Sequence, residues 1–188
     1  MEDANVSRKK VFPLDKNRVL PFILTGAVIL LDQLSKFIIV KNWPRIGTKI
    51  KDVFNNDFLI IRHVRNPDIA FSLGSNMPGN LKPVLFIVIP LLVLVFLFWY
   101  YLKSDEFTRM QRWAAAGIIG GGLGNIIDRI FRPAGVVDFI DIKFYGIFGL
   151  TRWPTFNIAD SSVVVCCIIL FFTILISMKK DKAKPRHE

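Results

Sequence analysis

Four long apolar stretches constrain this chain more than any other feature of its sequence. A helix needs about 20 residues to cross the roughly 30 Å hydrocarbon layer of a membrane. The stretches that approach or exceed this length are 19–40, 83–102, 113–130 and 158–178. The mean hydropathy of +0.42 is also above that of a soluble domain. We therefore predict an α-helical membrane protein with four transmembrane helices in a single domain, residues 1–188.

Basic residues are unevenly distributed among the segments that connect these stretches. The two tails and the segment 103–112 carry about half of the 25 Lys and Arg residues, although they are much shorter than the other two connecting segments. Cytoplasmic segments of membrane proteins are enriched in Lys and Arg. We therefore expect both termini in the cytoplasm and the loops 41–81 and 131–157 at the outer face. The net charge of +10 then requires no nucleic-acid partner.

Acidic and amide side chains cluster where the third stretch ends and the fourth begins. Both of these helix ends lie at the outer face in the predicted orientation. Residues three or four positions apart share a helix face, so Asn125 is expected near Asp128 and Arg129. By the same spacing, Asn157 is expected near Asp160, and the local sequence fits capping of the fourth helix by either residue as well as it fits a functional role. A charge near the lipid core costs about 2.5 to 3.5 kcal/mol, which favours a functional interpretation of the cluster.

The segment between these helix ends, GVVDFIDI at 135–142, is rich in β-branched residues and is predicted to be extended. Side chains three positions apart on a strand face opposite sides, as Asp138 and Asp141 would do here. Only one of the two is therefore expected to meet Asp160, and the spacing leaves open which. The other is expected to be a surface acid at the end of the strand.

Small residues recur at four-residue intervals in AAAGIIGGGLG, residues 114–124. Gly117 is spaced in this way from Gly121, and Gly120 from Gly124. Such spacing lets helices approach closely in lipid. It predicts tight packing of the third helix rather than a phosphate-binding loop, because a helix has already used its backbone N–H groups.

The first stretch contains a charged pair in the sequence LLDQLSK. Asp32 and Lys36 are one helical turn apart, which permits an ion pair. They lie beyond the middle of the stretch, toward its outer end. The pair therefore either neutralises itself or supports the cluster at the outer face, and the sequence leaves both interpretations open.

The first outer loop, 41–81, contains a β-like segment with turn signals at NND and NPD. It is too long for a plain connector, so we expect a folded cap. His63 has no Cys or second His near it, which makes a metal site on it unexpected. The adjacent Cys166 and Cys167 are interpreted as small apolar residues of the fourth helix rather than a redox pair.

Five blocks of the sequence follow one another over most of residues 19–178, namely DQLSK, RNPDIAF, GGGLGNIIDR, GVVDFID and FNIAD. In this order they resemble the lipoprotein signal peptidases, also called signal peptidase II, a family of aspartic peptidases. The resemblance implies that Asp138 and Asp160 form a catalytic pair and that the first outer loop forms a small extracytoplasmic β-cradle. It also implies that the pair is surrounded by supporting or substrate-binding residues, namely Asn66, Asn125, Asp128, Arg129 and Asn157, with Asp32 and Lys36 as further supporting candidates.

The resemblance also implies a substrate and a location. The substrate would be a prolipoprotein whose cysteine already carries diacylglycerol, and the cut before that cysteine would release the signal peptide. The enzyme would work as a monomer in the bacterial cytoplasmic, or inner, membrane, with membrane lipid around it. It would need neither a metal ion nor another cofactor.

One block departs from the expected family pattern. In RNPDIAF, Pro67 and Asp68 follow the loop asparagine, where a glycine is expected two residues after it. Asp tolerates a left-handed turn better than most residues, so we expect the turn to be kept. The added acid is expected to change the electrostatics near the site.

Two other functions fit part of this pattern. Asp128, Asp138 and Asp141 could bind Mg²⁺ in a membrane phosphatidyltransferase, but the Asp-Gly and Ala-Arg elements expected of that family are missing. A small transporter would place its acids near mid-membrane on broken helices of repeated halves. Here the acids cluster at one face with no evident repeat, so the peptidase interpretation is preferred.

Overall fold

The computed structural model describes residues 15–67 and 78–182 of the 188-residue chain. In this part of the chain, helices and strands follow in the order α1 (Lys16–Val19), α2 (Phe22–Asn42), β1 (Lys49–Asp52), β2 (Leu59–Asn66), α3 (Ile89–Lys103), α4 (Arg109–Phe131), β3 (Val136–Ile142) and α5 (Ile158–Lys182). A π-helical turn, Val84–Val88, leads into α3. Asp68, the acid that departs from the family pattern, lies outside the described residues.

Three helical segments of the described chain are long and apolar enough to cross a membrane. They are Lys16–Asn42, Val84–Lys103 and Ile158–Lys179, with mean hydropathies of 1.9, 2.7 and 2.6. They coincide with the predicted stretches 19–40, 83–102 and 158–178. The prediction of four spans is thus confirmed for three helices. The fourth helix, α4, is not one of these apolar segments, and it carries charged residues at both ends, namely Arg109, Arg112, Asp128 and Arg129.

The helix α4 lies at the centre of the helical layer and packs against α2, α3 and α5. Its glycines make this possible: at all four predicted positions, an added Cβ would lie within about 3 Å of an atom of α2 or α5. The positions are Gly117, Gly120, Gly121 and Gly124. At Gly121 the nearest atom is the backbone oxygen of Ala159, only 2.4 Å from the added Cβ. The prediction that these glycines serve close helix packing is confirmed.

A small antiparallel sheet of order β1-β2-β3 covers one end of the helices. The first outer loop was expected to form a small β-cradle, and it supplies β1 and β2, while the segment 135–142, which was expected to be extended, supplies β3. The turn predicted at NND is present between β1 and β2, where Asn55 and Asp57 have φ values of 56° and 64°. Asn and Asp are the non-glycine residues that accept this left-handed conformation most readily.

The inner face of β3 joins the sheet to α2. Val137 and Phe139 form a buried apolar cluster with Ile39 near the end of α2. Neighbouring side chains on a strand point to opposite faces. The residue between them, Asp138, therefore points away from this apolar cluster.

Two residue types that commonly bind metals or form disulfides have structural roles here. His63 is only 1% exposed, and its Nδ1 lies 2.7 Å from the carbonyl oxygen of Trp43. Cys166 and Cys167 are free thiols, the first buried and the second exposed. Buried Cys166 packs where Gly117 leaves space, in keeping with its interpretation as a small apolar residue.

Candidate active site

The first turn of α5 begins with a reciprocal pair of hydrogen bonds. The side-chain oxygen of Asn157 accepts from the backbone N–H of Asp160 at 2.9 Å, and Oδ2 of Asp160 accepts from the backbone N–H of Asn157 at 3.1 Å. This is the geometry of a capping box, with an acid at the third helical position. The capping interpretation of these two residues is therefore confirmed.

Asn157 also connects this helix end to β3. Its Nδ2 donates to Oδ1 of Asp138 at 2.7 Å, while Nδ2 of Asn66 donates to the other oxygen, Oδ2, at 3.2 Å. The side chain of Asp138 is thus held by amides from two different loops and is almost fully buried, at 2% exposure. Of the two acids on β3, Asp138 is the one that meets the start of α5.

Asn125 joins the two carboxyl groups from the side of α4. Its Nδ2 donates to Oδ1 of Asp160 at 2.7 Å, and its Oδ1 accepts from Nδ2 of Asn157 at 3.1 Å. Helical spacing had placed Asn125 next to Asp128 and Arg129, but its side chain bonds across the helix interface instead. The result is one connected set of side chains, formed by β3, α4 and α5.

The pKa of Asp138 is raised to about 7. Burial is the largest cause, because desolvation disfavours the charged carboxylate, and the negative charge of Asp160 is the second. The hydrogen bonds from Asn66 and Asn157 act in the opposite direction. Asp138 is therefore close to half-protonated at neutral pH, as expected for one member of a pair of acids that share a proton.

Asp32 and Lys36 lie in a fully buried layer directly behind these residues. The ammonium nitrogen of Lys36 is 2.8 Å from Oδ2 of Asp32 and 3.1 Å from Oδ2 of Asp128, and it donates to Oδ1 of Asn125 at 3.0 Å. The two interpretations left open by the sequence are therefore both correct. Asp32 and Lys36 neutralise each other, and Lys36 also contacts the outer cluster.

Asp128 belongs to the same buried layer. Its Oδ2 accepts from the backbone N–H of Val137 at 3.0 Å, and its Oδ1 pairs with Arg132 and accepts from Gln33. Sequence reasoning missed Gln33 and Arg132 as members of this layer. Arg132, directly after the end of α4, could have been identified from its spacing of four residues from Asp128.

Arg129 was predicted to support the site, and it lies on a wall of the cleft that opens in front of Asp138 and Asp160. Its guanidinium is 5.0 Å from the centre of the Phe86 ring, in cation–π geometry. This contact brings the π-helical turn before α3 close to the end of α4.

Asp141 was expected to be a surface acid if it did not meet Asp160, and that prediction is wrong. Its side chain is 2% exposed and lies 2.6 Å from Nε of Arg62 and 2.5 Å from Nε of Arg152. Two guanidinium partners offset the cost of burying this charge. The ion pairs of Asp141 thus link the sheet to the loop that follows β3, on the face of the strand opposite to Asp138.

A cleft of about 840 Å³ opens in front of Asp138 and Asp160. It is lined by residues of the sheet, of the π-helical turn and α3, of α4, and of α5 with the loop that precedes it. Its lining includes polar side chains that the sequence did not single out and several apolar ones, namely Arg65, Thr155, Trp153, Phe86, Pro90, Val163 and Val164. The combination of the buried Asp138, the half-buried Asp160 and a mostly apolar wall suits a substrate that is partly lipid.

The acids do not group as ligands of a metal ion. Within residues 15–67 and 78–182, no set of three or more His, Cys, Asp or Glu side chains is arranged to hold one. The phosphatidyltransferase interpretation would bring Asp128, Asp138 and Asp141 together, but each has its own partners. Asp128 pairs with Lys36 and Arg132, Asp138 accepts from two asparagines, and Asp141 pairs with two arginines.

Known proteins are similar to this chain over most of its length. Residues 24–176 match the family described as signal peptidase (SPase) II. The lipoprotein signal peptidase of Borrelia duttonii (strain Ly) is 48% identical over 171 residues, which cover 90% of this chain and 97% of that protein. The lipoprotein signal peptidase of Treponema pallidum (strain Nichols) is 38% identical over 176 residues, 94% of each chain.

A solved structure shows the same fold. It is a bacterial membrane enzyme determined by the in meso method at 2.3 Å resolution, with a TM-score of 0.70 and 29% sequence identity over 90% of this chain and 93% of that one. The apolar helices and this likeness show a multi-pass membrane protein. The resemblance noted in the sequence is confirmed, and this chain belongs to the signal peptidase II family of peptidases.

Proposed function

We propose that this protein removes signal peptides from prolipoproteins as an aspartic endopeptidase, with Asp138 and Asp160 as its catalytic residues. One observation carries the proposal: the buried carboxyl group of Asp138 and the half-buried one of Asp160 face one cleft and share Asn157 as a hydrogen-bond partner. Family membership supplies the reaction, and the site supplies the groups that can perform it.

The chemistry follows from placing two acids close together. Two neighbouring carboxylates resist being ionised at the same time, so one proton is shared between them. The ionised acid then removes a proton from a water molecule, which attacks the scissile carbonyl, while the protonated acid donates to the carbonyl oxygen. We assign the proton mainly to Asp138, whose pKa is raised to about 7, and the charge to Asp160, which accepts from the backbone N–H of Asn157 in the first turn of α5.

The proposed substrate carries diacylglycerol on the cysteine that follows the cleavage site. The apolar wall of the cleft supports this, because Phe86, Val163 and Val164 belong to helical segments that we place in the membrane. Acyl chains in the outer leaflet would then hold the cysteine at the depth of the two acids. The cut before the cysteine would release the signal peptide.

We further propose that α4 is the fourth transmembrane helix. Its charged ends do not prevent this, since α2, α3 and α5 surround its central turns and the buried layer neutralises Asp128. The distribution of Lys and Arg supports cytoplasmic termini and an active site at the outer face of the bacterial cytoplasmic membrane. Residues 1–188 form one domain, which works as a monomer without a metal ion or other cofactor.

A cleavage assay with a synthetic prolipoprotein peptide tests the proposal. The purified protein in detergent is expected to cut a diacylglyceryl-modified peptide before the modified cysteine, at the same rate with and without a chelator. The same peptide without the lipid is expected to be cut at least ~10²-fold more slowly, because it lacks the interactions that position it. Mass spectrometry of the products identifies the bond that is cut.

A different result of this assay would contradict each part of the proposal. Loss of activity with chelator would contradict metal-free chemistry. Equal cleavage of the lipidated and unlipidated peptides would contradict recognition of diacylglycerol. A cut after the cysteine, or no cut at all, would contradict the proposed reaction.

A further inference from the structure

Lys36 occupies the centre of the buried layer behind the candidate active site. Its side chain is completely buried, and its ammonium nitrogen lies within 3.1 Å of Asp32 and Asp128 and donates to Oδ1 of Asn125. An ammonium group has three N–H donors. These three contacts use all of them.

The contact with Asn125 determines the orientation of that side-chain amide. An ammonium donates hydrogen bonds and accepts none, so the amide oxygen and not the amide nitrogen must face Lys36. Nδ2 of Asn157 donates to the same oxygen at 3.1 Å. The nitrogen of Asn125 is thereby directed to Asp160, where it donates to Oδ1 at 2.7 Å.

Asn157 extends the same chain of donors to the second carboxyl group. Its own oxygen accepts from the backbone N–H of Asp160, so its nitrogen must point the other way. That nitrogen donates to Asp138 at 2.7 Å and to the oxygen of Asn125. A continuous network of hydrogen bonds therefore links the ammonium of Lys36 to both acids.

We propose that Lys36 is a positioning residue for the pair of acids, because its ammonium holds the amide of Asn125 with the nitrogen toward Asp160. The inference rests on the proposed function, since it assigns Lys36 a part in catalysis by that pair. Without the ammonium, only the nitrogen of Asn157 still donates to the amide oxygen, at 3.1 Å, and a turn of the amide by 180° would present that oxygen to the carboxylate. A lone-pair contact would then replace a hydrogen bond at one of the two catalytic oxygens.

The test must separate this role from simple neutralisation of buried charge. Replacing Lys36 alone leaves Asp32 buried without a counter-charge, which destabilises a protein whatever the role of the lysine. Asp128 keeps Arg132 as its partner. The change Asp32→Asn removes the remaining charge and retains an oxygen for the backbone N–H of Ala159, which Asp32 now caps at 3.0 Å. Double variants built on Asp32→Asn are therefore balanced in charge.

Two such double variants differ only in whether residue 36 can donate a hydrogen bond. Asp32→Asn/Lys36→Met and Asp32→Asn/Lys36→Gln have side chains of equal length at this position. For the Met variant we expect a kcat at least ~10-fold below wild type with KM within ~3-fold, because misoriented groups slow the chemical step. The Gln variant is expected to exceed the Met variant in kcat by at least ~5-fold, since it donates to Asn125. Steady-state cleavage of the lipidated peptide measures both, and thermal unfolding verifies folding.

The pH dependence of kcat/KM provides a second readout. The charged groups that face Asp138 from the elements around it are Asp160 of α5, Lys36 of α2, Arg129 of α4 and Arg65 of β2. Both double variants lose the Lys36 cation and the Asp32 anion together, so any shift of the alkaline limb is expected to be the same in the two. A difference in kcat between variants whose alkaline limbs coincide then reports hydrogen-bond donation rather than charge.

Equal kcat values for the Met and Gln variants would overturn the proposal, and so would a wild-type kcat in the Met variant. If the Met variant does not fold, the Gln variant decides: a kcat within ~3-fold of wild type supports the proposal, because its amide still donates to Asn125, and a kcat at least ~10-fold lower overturns it. Failure of the proposed function would be seen elsewhere, as an Asp160→Asn variant that retains cleavage while Lys36 is intact.

Discussion

Replacing either Asp138 or Asp160 by asparagine is expected to lower kcat for the lipidated peptide by at least ~10³-fold, because an amide can neither accept nor supply the shared proton. The fold is expected to survive. In Asp160→Asn the new amide keeps an oxygen that can accept from the backbone N–H of Asn157, and in Asp138→Asn it keeps one for the side-chain nitrogen of Asn157. Thermal unfolding in the same detergent, measured beside the cleavage assay, separates loss of chemistry from loss of structure.

Asp105→Asn is the matched control for these two variants. The carboxyl of Asp105 is 86% exposed in the segment between α3 and α4 and pairs only with Arg18 among its described contacts. The same chemical change there is expected to leave kcat and KM within ~2-fold of wild type, as for most surface substitutions. A folded Asp160→Asn or Asp138→Asn variant with near-normal turnover would remove that residue from the catalytic pair.

The second large effect is expected at the interface between α4 and α5. In Gly121→Ala, the added Cβ would lie 2.4 Å from the backbone oxygen of Ala159 and 2.8 Å from a methyl carbon of Val163. A backbone oxygen cannot move aside alone, so the start of α5 must shift. Overpacking of this kind costs about 1–3 kcal/mol or more. Because Asp160 is the next residue after Ala159, we also expect a loss of ~10²-fold in kcat/KM.

Gly26→Ala is the control for this change, since nothing lies within 4 Å of a Cβ added to Gly26 on α2. It is expected to leave both the unfolding temperature and kcat/KM close to wild type. If Gly121→Ala and Gly26→Ala behave alike, the close approach of α4 and α5 does not determine the position of Asp160. Cleavage of the lipidated peptide and thermal unfolding provide the comparison for both variants.

The parts of the fold that follow from local pattern could be predicted from the sequence. Continuous apolar runs identify the three membrane-crossing helices, since their length is set by the thickness of the membrane. The run of β-branched residues identifies β3 at 136–142, and the small-residue spacing identifies the packing face of α4. In each case the signal lies within about 20 residues of one segment.

The contacts that build the site join segments far apart in the chain, and no local pattern encodes them. Asn66 lies 72 residues before Asp138, and Asp32 lies 127 residues before the N–H of Ala159 that it caps. Family resemblance named most of these residues without saying which partner each one has. For this reason Asp128 was placed around the pair, although its side chain turns to the buried layer behind it.

Burial of charge was the other point that the sequence left undecided. Asp141 looked like a surface acid because its partners, Arg62 and Arg152, come from two other segments that fold over it. The same reasoning separates Asp141 from Asp138, whose side-chain partners among the described residues are two amides, with a carboxyl group as neighbour. A buried acid with arginines stabilises the sheet, whereas a buried acid without a cation in direct contact has a raised pKa and can carry a proton.

The measurement that tests the central claim most directly is the pH dependence of kcat/KM for the wild-type protein, from about pH 4 to about pH 9, with one lipidated peptide. The pKa of Asp138 is raised to about 7 by its burial and by the charge of Asp160. Above that pH the last shared proton leaves and no acid remains, and at low pH both carboxyls are protonated and no base remains. A pair that shares one proton therefore predicts a bell-shaped profile whose alkaline limb begins near the pKa of about 7. A rate that rises with a single carboxyl pKa and then stays level through the alkaline range would contradict the claim that Asp138 and Asp160 act as one catalytic pair.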